Sequence, residues 1–302
     1  MALKQIKNKI VSTQKIGKVT KAMESVSAVK MRKSQERAFQ SRPYVHTALR
    51  ILAQIASSEI LNKHTLTAKR TSDKKLLVVV TSDKGLAGSV NSAILKKVEQ
   101  ELSISREVEV IAIGRKALEF AEREKLPVLA KYTNVSDGVT LSDVYEISRL
   151  VLESFENRED LATVEVIYQN FLSTFEQAPT RRKVLPLDPE EVSRIMQGIR
   201  PKKGEFSDDM VAPDQKIDYL IEPNAETVLS GLLPQLIQIL LFHALLESKA
   251  SEHSARMVAM KNATDKSKEV TKSLNLLYNK ARQAAITAEV SEITGGIEAM
   301  KT

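Results

Sequence analysis

Residues 81–91 read TSDKGLAGSVN. A glycine-bearing turn between an apolar run and an amphipathic one is where α/β proteins hold phosphate. The spacing fits neither known fingerprint. There is no G-x-G-x-x-G, and no Gly-Lys-Ser/Thr closes a P-loop. Gly85 and Gly88 alone favour a purely structural turn. The four histidines, His46, His64, His243 and His253, are scattered, and none pairs with another at an i, i+4 ligand spacing. Cys is absent, which removes disulfides, thiolate zinc sites and a thiol nucleophile. No Ser/His/Asp order accompanies a nucleophile elbow. The residues therefore predict no active site, no metal and no cofactor.

What the chain does carry is charge, unevenly placed. Residues 1–42 hold eleven Lys and Arg against two acids, Glu24 and Glu36, a net charge of +9. The remaining residues hold 34 basic and 36 acidic side chains, a net of −2. A basic excess confined to one element implies an acidic partner: nucleic acid, anionic lipid or an acidic protein surface. A merely solvated face is the plainer reading.

These features must be positioned by helices at both ends and strands between. Residues 3–59 keep a helical register broken only by Pro43. A helix of that length would run roughly 80 Å, too long for one compact domain. The middle alternates apolar runs with helical segments. KKLLVVVTSD (74–83), EVEVIAIG (107–114), LPVLAKY (126–132), LATVEVIYQNFLS (161–173) and RRKVLPLD (181–188) read as strands. Residues 89–102, 115–125 and 141–156 read as helices, giving a parallel or mixed sheet with covering helices. Residues 197–216 read as a loop and 216–222 as a short strand. Helix resumes with Asn224 as N-cap, and Pro234 should divide or bend it. The stretch 228–247 is interrupted by Ser230, Gly231, Pro234, Gln235, Gln238 and His243. It predicts a buried helix rather than a membrane span. The N-terminus lacks the apolar segment of a secretory signal.

From Met260 a 3–4 spacing appears: Met260, Ala263, Ser267, Val270, Leu274, Leu277, Ala281, Ala284, Ala288. So thin a seam cannot hold a lone helix. The first helix offers a matching seam, Leu3, Ile6, Ile10 and Thr13. The predicted fold class is α/β plus coiled coil. Long N- and C-terminal helices form an antiparallel coiled coil with an inserted α/β domain, divided 1–60, 61–215 and 216–302.

Four stretches resemble the gamma subunit of the rotary ATP synthase. They are VTKAMESVSAVKMRKSQERAFQSRPY (19–44), TSDKGLAGSVN, and NKARQAAITAEVSEITGG (279–296) preceded by HALLESKASEHSARMVAMKNATD (243–265). The resemblance covers nearly the whole chain. It implies a Rossmann-like inserted domain and a central rotor shaft without bond chemistry, coupling ion flow to ATP synthesis or hydrolysis. The implied partners are a hexameric ring of alpha and beta subunits, the epsilon subunit and the membrane c-ring. Membrane contact would run only through the c-ring, at the cytoplasmic face of a bacterial plasma membrane. Carried over by motif, Arg282, Gln283, Thr287 and Glu289 match contacts with beta, and Glu252 with Arg256 a second belt. Met23, Lys18, Lys21, Lys30 and Ala87 match the region facing beta's acidic lever. Ala87 stands where some relatives have Cys, and Ile297 follows Gly295 and Gly296 where relatives place Ala. Without a Cys pair in 197–216, the redox switch of chloroplast relatives is not expected.

Two other readings compete. A basic coiled coil could bind nucleic acid, though no base-reading module is present and the same face is rich in Met and Ala. The α/β domain could be a nucleotide-dependent enzyme, though it lacks a phosphate fingerprint.

Overall fold

The computed structural model describes residues 3–40, 44, 47, 48, 51, 64–105, 107–188 and 220–299. The predicted loop 197–216, Pro43 and the boundaries at 60 and 215 lie outside them. Residues 220–222, the described part of the expected strand 216–222, are not in a strand. Two compact units account for the contacts: Ser27–Arg256, and Met1–Val26 with Met257–Thr302.

The larger unit is built on a five-stranded mixed sheet. In chain order its elements after α1 (Leu3–Gln40) are β1 (Lys74–Val80), α2 (Val90–Ile104), β2 (Val108–Ile113), α3 (Arg115–Arg123), β3 (Val128–Tyr132), α4 (Leu141–Glu156), β4 (Leu161–Phe171), β5 (Gln177–Leu185) and α5 (Ala225–Ala299). The strand order is β3-β2-β1-β4-β5. The first four strands are parallel, as helical crossovers require, and β5 returns antiparallel to β4. All five predicted strands and the three helices between them form.

β1 is apolar without alternation because both of its faces are covered. Leu76, Val78 and Val80 pack with Val144, Ile147 and Val151 of α4 and with Leu236, Leu240 and Leu245 of α5. Leu77 and Val79 point the other way, onto Ile94 and Val98 of α2 and Phe120 of α3. β5 starts earlier than predicted, because a turn at 173–176 lets Gln177 pair with Phe171. As an edge strand it tolerates Pro179. α4 begins on a capping box between Thr140 and Asp143.

α5 runs unbroken through Pro234, so of the two expected effects, division or a bend, division does not occur. The ring removes one backbone bond, but Leu233, Leu236 and Ile237 are fully buried and hold the turns on either side. By length and composition α5 could cross a membrane, yet its apolar stretch packs on the sheet. Asn224 caps it, its side-chain oxygen accepting from Thr227 N at 2.9 Å.

The smaller unit pairs the start of α1 with the end of α5. Thr20 and Thr264 hydroxyls meet at 2.7 Å, and a Cβ on Gly17 would stand 2.8 Å from Ser267 Oγ. Moving three residues forward on α1 moves three back on α5, so the helices are antiparallel. The α1 seam is Leu3, Ile6, Ile10, Thr13, Gly17 and Thr20, the predicted positions continued. The α5 seam is Met260, Thr264, Ser267, Thr271, Leu274, Tyr278, Ala281 and Ala285. The expected Ala263, Val270, Leu277 and Ala284 are each one residue off, and Val270, Leu277, Ala284 and Ala288 are exposed. Part of the reason is hydrogen bonding. Around Gly17 the hydroxyls of Thr264 and Ser267 bond back to Met260 O and across to Thr13 O, which a valine at the contact could not do.

Gly114 ends β2 with a φ of 89°, and a Cβ there would lie 2.2 Å from the carbonyl oxygen of Thr81. Gly114→Ala is expected to lower stability in urea by more than about 2 kcal/mol. Gly85→Ala, with open space around it, should change it by less than about 0.5 kcal/mol.

Candidate functional site

In residues 81–91 the side chains of Thr81, Ser82, Asp83 and Asn91 are used locally. The Thr81 hydroxyl donates to Ile113 O and accepts from Ala117 N, capping α3. Asp83 Oδ1 accepts from Arg115 N at 3.0 Å, in the first turn of the same helix. Ser82 and Asn91 bond each other across the turn, and Ser82 N donates to Asn91 Oδ1. Leu86 sits at the turn's tip with a φ of 64° and is exposed, while Ala87 is buried.

The strand order reverses between β1 and β4. In open α/β sheets the crevice beyond the strand ends at that reversal is the ligand site. Here α5 lies across it. Ser251 donates to Gln169 O at 3.0 Å, and Ser254 to Thr174 O. Arg256 donates to the carbonyls of Lys84 and Gly85 at 3.3–3.4 Å. Ala255 packs on the α2 and α3 side of the sheet, whereas α5 up to Leu246 packs on the other.

Around this crossing lies a polar cluster that the sequence reading scattered. Glu252 and Arg256 form an ion pair at 2.7 Å, both more than nine-tenths buried. Lys249 lies 3.8 Å from Glu252 and donates to Val135 O. Asp137, in the loop before α4, meets Lys30 of α1 at 2.6 Å and His253 at 3.0 Å. The His253 hydrogen bond, and then Lys30, hold the Asp137 carboxyl well below the usual carboxylate range despite partial burial. One strong signal for this cluster was legible: charged or ionisable residues at 249, 252, 253 and 256, all within two turns of an apolar helix. Asp137, in the unremarkable NVSDG, gave none.

The structure thus engages Glu252, Arg256 and Lys30 within the chain, while Arg282, Gln283, Thr287 and Glu289 are exposed on α5. Thr287 Oγ1 donates back to Gln283 O at 3.0 Å. Met23 is half-buried; Lys18 and Lys21 are exposed, Lys21 pairing with Glu24 at 3.0 Å. An open groove of about 1010 Å³ beside the helix pair is flanked by Lys18, Lys21, Lys268 and Lys272. Around the pair, apolar residues stand in solvent: Ile16, Val19, Leu276 (66% exposed), Ile286, Val290 and Ile293 (64%). Among the described residues no group of three metal-ligating side chains occurs.

The family model described as ATP synthase matches residues 2–300. The chain is 37% identical over 304 residues to the ATP synthase gamma chain of Roseiflexus castenholzii, covering 98% of each. It is 36% identical over 307 residues to that of Dehalococcoides mccartyi, covering 99% of each. Among solved structures it resembles the central stalk and c-ring assembly of the Tetrahymena thermophila mitochondrial ATP synthase. The TM-score is 0.58 at 24% identity, over 81% of this chain and 99% of that one. A chain of the Euglena gracilis mitochondrial enzyme gives 0.63 at 17% identity, over 99% and 94%.

Removing Arg256 strands a buried carboxylate, so Arg256→Ala should lower stability in urea by about 3–5 kcal/mol. Lys21→Ala, which breaks only an exposed i, i+3 pair, should cost less than about 1 kcal/mol.

Proposed function

The chain belongs to the ATP synthase gamma-chain family and is a non-catalytic subunit of that complex, and from this premise we propose that its helix pair is the rotor shaft turning inside a ring of alpha and beta subunits. The observation that carries this reading is the apolar exterior of the pair, where Ile16, Val19, Leu276 and Ile293 are exposed. A two-helix rod with such a surface needs protein around it. The relatives at 36–37% identity, ATP synthase gamma chains, support reading that surrounding protein as the rest of the same complex. Neither competing reading gains support from them.

In this proposal Arg282, Gln283, Thr287 and Glu289 touch the beta subunits. Lys18, Lys21 and Met23 face an acidic lever of beta, to which the groove lysines offer complementary charge. Glu252 and Arg256 serve the second belt indirectly, by clamping the turn that carries Leu86 and Ala87. Lys30 stabilises Asp137 within the chain. The epsilon subunit and c-ring would contact the sheet-bearing unit. The assembly would lie at the cytoplasmic face of a bacterial membrane, touching lipid only through the c-ring.

A turning shaft needs contacts strong enough to define stops and weak enough to release. Neutral hydrogen bonds, worth about 0.5–1.5 kcal/mol net, suit that better than buried ion pairs. Replacing Gln283 and Thr287 together by Ala should leave the helix intact, since Ala is the better helix former. The complex should assemble while ATP turnover falls severalfold; parental turnover with full coupling would place these residues on an idle surface. Met23→Lys should lower proton pumping more than ATP hydrolysis in the assembled enzyme. An added ion pair of about 1 kcal/mol in one rotor position is enough to roughen an otherwise level path. Equal loss of both activities together with assembly would make Met23 a packing residue.

A further inference from the structure

His253 is nearly fully buried between a carboxylate and a guanidinium. Its Nε2 lies 3.0 Å from Asp137 Oδ1, and its Nδ1 lies 3.4 Å from Arg256 Nη1. A guanidinium can only donate, so Nδ1 must accept. That bonding pattern assigns the ring proton to Nε2, directed at Asp137, in a neutral imidazole. We propose that His253 is a pH-sensitive joint. Neutral, it links the loop at Asp137 to Arg256 and, through Arg256, to the Lys84–Gly85 carbonyls; protonated, it lets go of Arg256 and frees that turn.

The groups facing the ring set the direction. From its own helix come Arg256, Glu252 and Lys249; from the loop before α4, Asp137; from α1, Lys30, bonded to the other Asp137 oxygen. A second proton can go only to Nδ1, the atom that now accepts from Arg256. That turns a hydrogen bond into two cations at 3.4 Å. Asp137 keeps its partner on Nε2 and so stays attached. Arg256 keeps Glu252 at 2.7 Å, its strongest contact. What it surrenders are the longest bonds, those to Lys84 O and Gly85 O at 3.3–3.4 Å. Between about pH 8 and 5.5 an imidazole is the ordinary side chain that changes charge. Asp137, held ionised by the same contact, does not titrate there. The joint does not depend on what the 82–88 turn touches in the assembled complex.

The test is amide hydrogen exchange of the full-length chain at pH 7.5 and 5.5, corrected for the intrinsic pH dependence of exchange. Peptides spanning 81–92 should exchange about tenfold faster at the lower pH, a one-decade change of opening equilibrium. The core strand β1 should not change. His253→Gln offers an amide donor to Asp137 and an amide oxygen to Arg256 and carries no charge at either pH. Its 81–92 peptides should be protected equally at both. A flat wild-type profile, or the same slope in the Gln variant, would overturn the joint. Nitrogen-15 shifts of the wild-type imidazole give a check without any variant. At pH 7.5 they should show a bare Nδ1 and a protonated Nε2; the opposite tautomer, or an imidazolium, refutes the proposal.

Discussion

A helix of 75 residues satisfies its own backbone but not its side chains, and everything else in the structure depends on what α5 is packed against. Its first third carries the buried apolar residues between Leu229 and Leu246 because it covers one face of a sheet. Its crossing segment is polar and buried, because there it meets strand ends whose carbonyls need donors. Farther on, its seam turns small and polar at Thr264, Ser267 and Thr271, where its neighbour is a single helix with Gly17 at the contact. No hydrophobic period spans these environments, so the helix as a whole has no amphipathic signature.

That explains which parts were legible. Strands and their intervening helices follow local patterns: β1 is a bounded β-branched run and 141–156 a helical segment, and both formed there, α4 starting on its capping box. The seam was found with the right period and one wrong member per heptad. Hydrophobicity favours Val270 and Leu277, whereas the contact selects Thr271 and Tyr278. At Thr271, near Gly17 and Ser267, the hydroxyl bonds back to Ser267 O, which Val270 could not do; for Tyr278 over Leu277 the structure gives the outcome without a local cause. Pro234 does not divide the helix, since tertiary burial on both sides outweighs one lost bond. The Asp137–His253–Arg256 cluster joins residues more than a hundred positions apart, and no local pattern encodes it. The site residues on the last turns of α5 rest on family motifs; their exposure is what the structure adds.

The same sheet order that elsewhere cradles a dinucleotide here receives a helix. Ser251, Ser254 and Arg256 donate to the backbone carbonyls that line the crevice. The fold is thus used as a socket for the chain's own helix, an instance of one architecture serving unlike ends. The glycine-bearing turn after β1 serves α3, whose first turn donates to Asp83 and Thr81.

The hydroxyls between α1 and α5 have a mechanical meaning. Oily seams grip without direction, so two helices joined by Leu and Ile alone can creep along one another by fractions of a turn. Thr20 against Thr264, and Ser267 against the carbonyl of Thr13, are directional bonds of 2.7 and 2.6 Å. They act as teeth. They key the two strands of the rod axially, so that a twist applied to one is carried by both, and they do so with side chains small enough to keep the rod slender.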